Sequence, residues 1–266
     1  TTGEIYDQIS QNTLATFRQT FQLWRGRPVL DVKIELDVQT MPDGNPWDHY
    51  YAARFAWGDS TASLTRSLLE SAHAFQGERF ESPHYFEIAE GEERVTILNH
   101  GLPFHRKTGP RMLDSMLIVE GETRREFAFS IAVNQNFPMQ MAKNVMVPAG
   151  QFSSPLGPPR MGETGWLFHV AASNVQITRV MDLMSPEPDS PDVETRVRTG
   201  FAVRLIETEG VHRSVKLRCW KSPVSARQRN FHGKTIVELP VEEDAVLVEM
   251  SQYEIAEIEI LFEEQP

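Results

Sequence analysis

Polar and apolar residues alternate with a period of two along most of this chain. That period suits strands of antiparallel sheets with one buried face and suits little else. Val32, Ile34, Leu36 and Val38 are interleaved with Lys33, Glu35 and Asp37. Phe127, Phe129, Ile131 and Val133 alternate with the small residues Ala128, Ser130 and Ala132. Val203 and Leu205 follow Phe201 in phase, and Ile258 and Ile260 alternate with Glu257 and Glu259. Further strands are read near residues 15–24, 50–57, 83–89, 93–98, 111–119, 165–171, 174–181, 213–220 and 245–250. Only 60–72 and the short 138–144 can be read as helix, and Thr61, Thr65 and Ser67 make the first nearly as good a strand. Many short strands with few helices give an all-β sandwich or barrel.

Two stretches punctuate the strands. Residues 147–165 hold Pro148, Pro155, Pro158 and Pro159 together with Gly150, Gly157, Gly162 and Gly165, and read as a long loop. Residues 184–192 are Pro-rich and polar, the composition of a flexible surface loop. Residues 166–181, between them, read as strands. The domain boundary is placed near 172, giving a first domain over 1–171 and a second over 172–266. The 184–192 loop then lies inside the second. No internal repeat is present.

Charge narrows the partners. The net charge is −11, yet residues 235–266 alone hold ten acids and no Lys or Arg. Immediately before them, residues 211–234 carry Arg213, Lys216, Arg218, Lys221, Arg227, Arg229 and Lys234 with no acid among them. Adjacent blocks of opposite sign suit strands that pair, because opposite charges across a ladder stabilise it. A nucleic-acid site needs its basic block unopposed, so no nucleic-acid partner is expected. No run approaches the roughly 18 apolar residues of a membrane helix, so no membrane partner is expected either. The one cysteine, Cys219, rules out an internal disulfide and a cysteine metal cluster. It shares a strand face with Val215 and Leu217 and reads as a core thiol. The chain opens Thr-Thr-Gly with no signal-like pattern, and is read as a fragment of a longer polypeptide or a processed form.

The densest chemistry lies in residues 95–114, where His100, His105, Arg106, Lys107, Arg111 and Asp114 crowd a Gly/Pro-interrupted turn between two strand-like runs. Loops on a β scaffold are where binding sites usually sit. His100 and His105 lack a third donor at usable spacing, so ordinary hydrogen-bonded histidines are the simpler reading and no metal site is assigned. Arg106, Arg111 and Asp114 suit sugar hydroxyls or pairing with one another. Trp47, His49, Tyr50 and Tyr51 follow Asn45-Pro46, a turn leading into a strand. Aromatic faces stack on sugar rings, which makes Trp47 and His49 candidates for a carbohydrate platform. Tyr51, Phe55 and Trp57 read instead as one apolar strand face. No Gly-rich phosphate loop and no local nucleophile–His–acid arrangement is present.

Several of these segments, in order, resemble the C-terminal β region of the glycoside hydrolase family 38 α-mannosidases. Residues 17–31 look like its first paired strands, and 45–57 resemble the segment that follows. Residues 95–119 are similar to its central Gly-rich turn and strand. The run Arg204-Leu-Ile-Glu207-Thr-Glu-Gly210 looks like a strand-and-turn motif of the family, and 253–260 resemble its closing strand. The resemblance implies a large antiparallel β super-sandwich, similar to galactose mutarotase, followed by a small β-sandwich. It implies retaining hydrolysis assisted by zinc, with a carboxylate nucleophile and a carboxyl acid/base. Those groups and the zinc belong to N-terminal domains of the same polypeptide that these 266 residues do not include. No catalytic or metal-binding residue and no cofactor is therefore assigned to this chain. His105, Arg106, Arg111 and Asp114 are carried over as substrate-facing, because the matching turn lies near the family's cleft. The expected role is a non-catalytic carbohydrate-binding and buttressing region of a hydrolase. The alternative is a stand-alone sugar-binding or aldose-epimerase-like protein, using a His and a carboxylate for proton transfer.

Overall fold

The computed structural model describes residues 1–147, 150, 165–183 and 199–263. The Pro-rich 184–192 and nearly all of the 147–165 loop lie outside the described residues. The chain divides into two compact units, Thr1–Pro148 and Ala149–Pro266. Among the described residues there are 21 strands and a single helix, and every strand pair is antiparallel. Among the described residues the fold is all-β, and its sheets are open rather than closed into a barrel.

The first unit runs β1 (Thr2–Tyr6), β2 (Thr13–Leu23), β3 (Val29–Val38), β4 (Tyr51–Ala56), β5 (Ser63–Leu68), β6 (Ser71–Phe75), β7 (Arg79–Glu81), β8 (Tyr85–Glu90), β9 (Glu93–Leu98), β10 (Phe104–Gly109), β11 (Met112–Ile118), β12 (Glu126–Val133) and α1 (Pro138–Met146). Eight strands form one sheet in the order β1-β2-β3-β12-β9-β8-β5-β6, and four form a second, β4-β11-β10-β7. Val32, Ile34, Phe86, Ile97, Phe127 and Phe129 from the large sheet meet Leu113, Leu117 and Phe80 from the small one in a single core. The alternate residues Tyr85 and Leu98 point the other way and are covered by Met139 and Ala142 of α1. The 60–72 segment is a hairpin. Leu69 and Glu70 both take positive φ, 51° and 62°, and turn the chain from β5 into β6.

The second unit runs β13 (Phe168–Val170), β14 (Val175–Asp182), β15 (Thr199–Glu207), β16 (Arg213–Cys219), β17 (Ser225–Arg229), β18 (Thr235–Leu239), β19 (Val241–Glu242), β20 (Ala245–Met250) and β21 (Ile255–Phe262). Its sheets are β13-β16-β20-β19 and β14-β15-β21-β17-β18. Val203, Leu205, Ile258 and Ile260 from one sheet pack on Val215, Leu217, Val246 and Val248 from the other. The division falls earlier than residue 172, because β13 pairs with β16 through Phe168↔Cys219 and so belongs to the second unit. Cys219 lies in this core, where burial pushes its thiol up to about 12. The opposed charge blocks meet as the sequence suggests. The basic strand β16 pairs with β20, and Lys216 reaches Glu242 at 3.3 Å and Arg218 reaches Asp244 at 2.6 Å.

Glu207 shows why the 204–210 run has its pattern. Its carboxylate accepts from Asn174 Nδ2, from the N–H groups of Glu209 and Gly210, and from the Tyr253 N–H. It ties the turn after β15 to the segment entering β21. Gly210 has φ +74° and would place a Cβ 2.5 Å from the end of the Tyr253 side chain, so any other residue there is strained.

Candidate functional site

Residues 104–109 form a strand rather than part of a turn, and this decides where each candidate side chain goes. Strand neighbours point to opposite faces, so His105 and Arg106 part company. His105 faces inward with Phe80 and Ser115 across the ladder. It is fully buried, with Phe80 and Phe86 each 5.1 Å away ring to ring. Nε2 lies 3.2 Å from Ser82 O and 3.3 Å from Asn99 Nδ2, and Nδ1 lies 2.9 Å from Ser115 Oγ, so both ring nitrogens have partners. Burial disfavours the imidazolium and lowers this histidine to about 4. A side chain with no exposure and both nitrogens satisfied cannot touch a sugar, so the substrate-facing assignment of His105 is corrected to a core role.

Arg106 faces outward, and register lines it up with Arg79 of β7, Asp114 of β11 and Arg54 of β4 in one row across the small sheet. Asp114 is only 2% exposed. Arg54 grips it with two parallel bonds, Nε at 2.6 Å and Nη2 at 2.8 Å, and Tyr50 adds its hydroxyl at 3.1 Å. Burial, then the Asp114 charge beside it, raises the Tyr50 phenol. Arg106 donates to Glu78 at 3.0 Å, to the Trp47 carbonyl at 2.6 Å and to Asp48 at 3.3 Å. Arg79 lies over the Trp47 ring at 5.4 Å and reaches Asp48 at 3.5 Å. Trp47 meets Phe104 edge to face at 6.1 Å.

Of the six residues singled out in the sequence, Trp47, Arg106 and Asp114 come together on this outer face. Arg111 and His49 do not join the row. Arg111 sits in the β10–β11 turn and donates to Gly58 O, and His49 Nδ1 contacts Asp43 O in the loop before β4. Tyr50, named in the sequence beside Trp47 but passed over for it, joins the cluster, and Arg54, Glu78, Arg79 and Phe104, which escaped the sequence reading, complete it. Only the alternation in 50–57 could have flagged Arg54, since Tyr51 and Phe55 claim the inward positions beside it.

The row presents guanidinium forks, exposed carboxylates on Asp48 and Glu78, and two aromatic rings on a rigid sheet. Such a set can donate to and accept from vicinal hydroxyls while a ring face covers the sugar's C–H groups. Asp114 has its lone pairs engaged by Arg54 and Tyr50 and serves as an anchor for them. Among the described residues, no group of three or more His, Cys, Asp or Glu side chains could hold a metal ion.

No family model matches the sequence, and no curated protein matches it. Solved structures do match the fold. A protein in glycosyl hydrolase family 38 from Enterococcus faecalis superposes with a TM-score of 0.67 at 14% identity, over 94% of this chain and 30% of that one. An alpha-mannosidase from Enterococcus faecalis V583 gives a TM-score of 0.66 at 14% identity, over 94% of this chain and 29% of its own. The chain thus spans under a third of the length of these structures. The family 38 resemblance found in the sequence is matched by the architecture of nearly all of the chain.

Proposed function

We propose that this chain is the accessory β region of a larger glycoside hydrolase, with the outer face of the small sheet turned to carbohydrate. One observation carries the reading. Almost the whole chain, both units included, superposes on less than a third of much longer glycoside hydrolase structures. A carbohydrate-facing surface accords with the Arg54–Asp114–Arg106 row and the Trp47–Phe104 pair. In this reading the nucleophile, the acid/base and any zinc lie in other domains of the same polypeptide, and this region supports them and contributes sugar contacts. The aldose-epimerase-like alternative loses its most direct proton carrier, because His105 is paired with Ser115 and Ser82 rather than with a carboxylate.

The test has two arms. The purified 266-residue chain should not hydrolyse aryl α-mannosides, with or without zinc, and turnover would overturn the reading. Titration with α-mannosides, followed by NMR, should shift the Trp47 indole and the Arg54 and Arg106 side-chain signals. Shifts confined to other faces would remove the small sheet from the proposal.

A further inference from the structure

The first unit is lopsided. Phe55 of β4 meets Phe129 of β12 at 5.2 Å and Phe86 of β8 at 5.6 Å, and Phe80 of β7 meets Phe75 of β6 at 4.2 Å. The small sheet therefore covers the large one from β3 to β6. It stops at β4, whereas the large sheet runs on through β2 to β1. The inner face beyond β3 is mostly apolar. Ile5, Phe17 and Phe21, with Gln19 between the two rings, form an open groove against the edge of β4, floored by the buried Val32 and Ile34. Phe21 is 53% exposed there. Five consecutive residues, 51–55, line the β4 side, so the wall of the groove is strand backbone as much as side chain. Arg54 is the only charged residue lining it, and its guanidinium is committed to Asp114. Among the described residues, no strand pairs with β4 on this side.

A long apolar edge with unpaired N–H and C=O groups invites strand pairing, and an apolar sheet face of this kind marks an interaction surface. We propose that the groove receives a β-strand supplied by the same polypeptide from outside residues 1–266. This rests on reading the chain as part of a longer hydrolase, and it draws on the fact that the similar structures extend well beyond the matched portion. The strand runs beside β4 at the usual spacing of about 4.7–4.9 Å and becomes the fifth strand of the small sheet. Matching β4 requires about six residues, with an apolar side chain at every second position facing Phe17 and Phe21.

A second copy fits poorly. Pairing β4 to β4 with both large sheets on one side drives the two overhangs into the same space. Pairing with the large sheets on opposite sides lays the partner's polar Arg54–Asp114 face over the apolar groove.

The test is amide hydrogen exchange of residues 51–56 in the native full-length polypeptide and in the 266-residue chain. The β4 amides facing the groove should exchange at least about tenfold more slowly in the full polypeptide. Phe21→Asp in the full polypeptide should restore fast exchange there, while amides of Ile97 and Phe127 stay protected and report an intact core. Fast exchange in both forms overturns the proposal. Equal protection in both also overturns it: concentration-dependent protection with a dimer in sedimentation assigns the groove to a second copy, and concentration-independent protection assigns it to a cover within the chain. Activity does not enter this readout. A protected edge in a polypeptide that hydrolyses no glycoside would sink the hydrolase reading and leave the strand in place.

Discussion

Each unit lays a row of opposite charges across neighbouring strands, and the two rows are built differently. In the second unit Arg204, Glu257, Arg229, Glu259 and Arg227 alternate along β15, β21 and β17. Both Glu257 oxygens and both Glu259 oxygens are held by arginines at 2.6–3.0 Å, and Glu257 is only 4% exposed. That ladder is closed: each carboxylate is shared between two guanidiniums. The row in the first unit is open. Arg54 keeps 57% of its side chain in solvent, and Asp48 and Glu78 are similarly wet. A closed ladder fixes register, because a one-residue slip would strand its charges. An open row with aromatic rings beside it retains donors and acceptors for a ligand. Charge across a ladder is thus a register device by default, and exposure separates a candidate site from it.

The largest expected effect breaks the closed ladder. Glu257→Ala leaves Arg204 and Arg229 without their shared anion in a poorly hydrated position and should destabilise the second unit by about 3 kcal/mol. Asp114→Ala in the open row should cost about 1–2 kcal/mol, because Arg54 can turn to water. Urea unfolding of both variants checks the contrast, and equal losses would erase the distinction between the rows.

Acid should separate the units next. His105 is lowered from 6.5 to about 4, so between these pH values the unfolded chain binds a proton that the folded chain refuses. Stability of the first unit is full above pH 6.5 and falls by about 3 kcal/mol as pH drops to 4. Burial lowers His84 and His100 in the same direction, whereas burial raises Glu87 and opposes them. In the second unit, burial alone would raise Glu207 and Glu257. Backbone and Asn174 bonds to Glu207, and Arg204 and Arg229 beside Glu257, instead hold both below the usual range. Their contribution is present above about pH 4.5 and is lost only as pH falls through their lowered values. Thermal unfolding from pH 7 to 4 should therefore soften the first unit first, and His105→Gln should flatten most of that slope.

The alternating runs were legible because burial on one face writes itself into the sequence with period two; β3, β12, β15 and β21 follow directly. β10 was not legible, since its inward residues are His105 and Lys107 and its outward residues Phe104, Arg106 and Thr108 mix apolar, charged and polar, so Phe104–Gly109 shows no apolar period. That one missed strand put His105 and Arg106 into a single site, when a strand must send them to opposite faces. Arg54 and Arg79 were hidden for a related reason. They join the row only through pairing of β4 and β7 with strands far along the chain, and register is a tertiary fact. The 60–72 segment fits helix and strand about equally, and contact of β5 with β8 settles it as a hairpin arm.

A smaller effect sharpens the claim that the open row is a site. Trp47→Ala removes the ring under Arg79 and the edge contact with Phe104, which together contribute about 1 kcal/mol to stability. Its effect on sugar binding should be larger, about tenfold in affinity, because a ring face is lost from the platform. Calorimetric titration of the variant with α-mannosides checks this, and unchanged affinity would reduce Trp47 to a latch for Arg79.

The smallest effect belongs to the exposed pairs that link β16 to the acidic strands. Arg218 reaches Asp244 through Nε and Nη2, and its guanidinium lies 5.7 Å from the Trp166 ring, yet its side chain is half in solvent. Water solvates both charges well before they pair, and holding a long side chain in one geometry consumes most of what the attraction returns. A double-mutant cycle on Arg218→Ala and Asp244→Ala should therefore give a coupling near its detection limit. That coupling should vanish at about 1 M salt, where screening acts within about 3 Å. A strong, salt-insensitive coupling would place this pair with the closed ladder and show that exposure alone does not sort the charges of this chain.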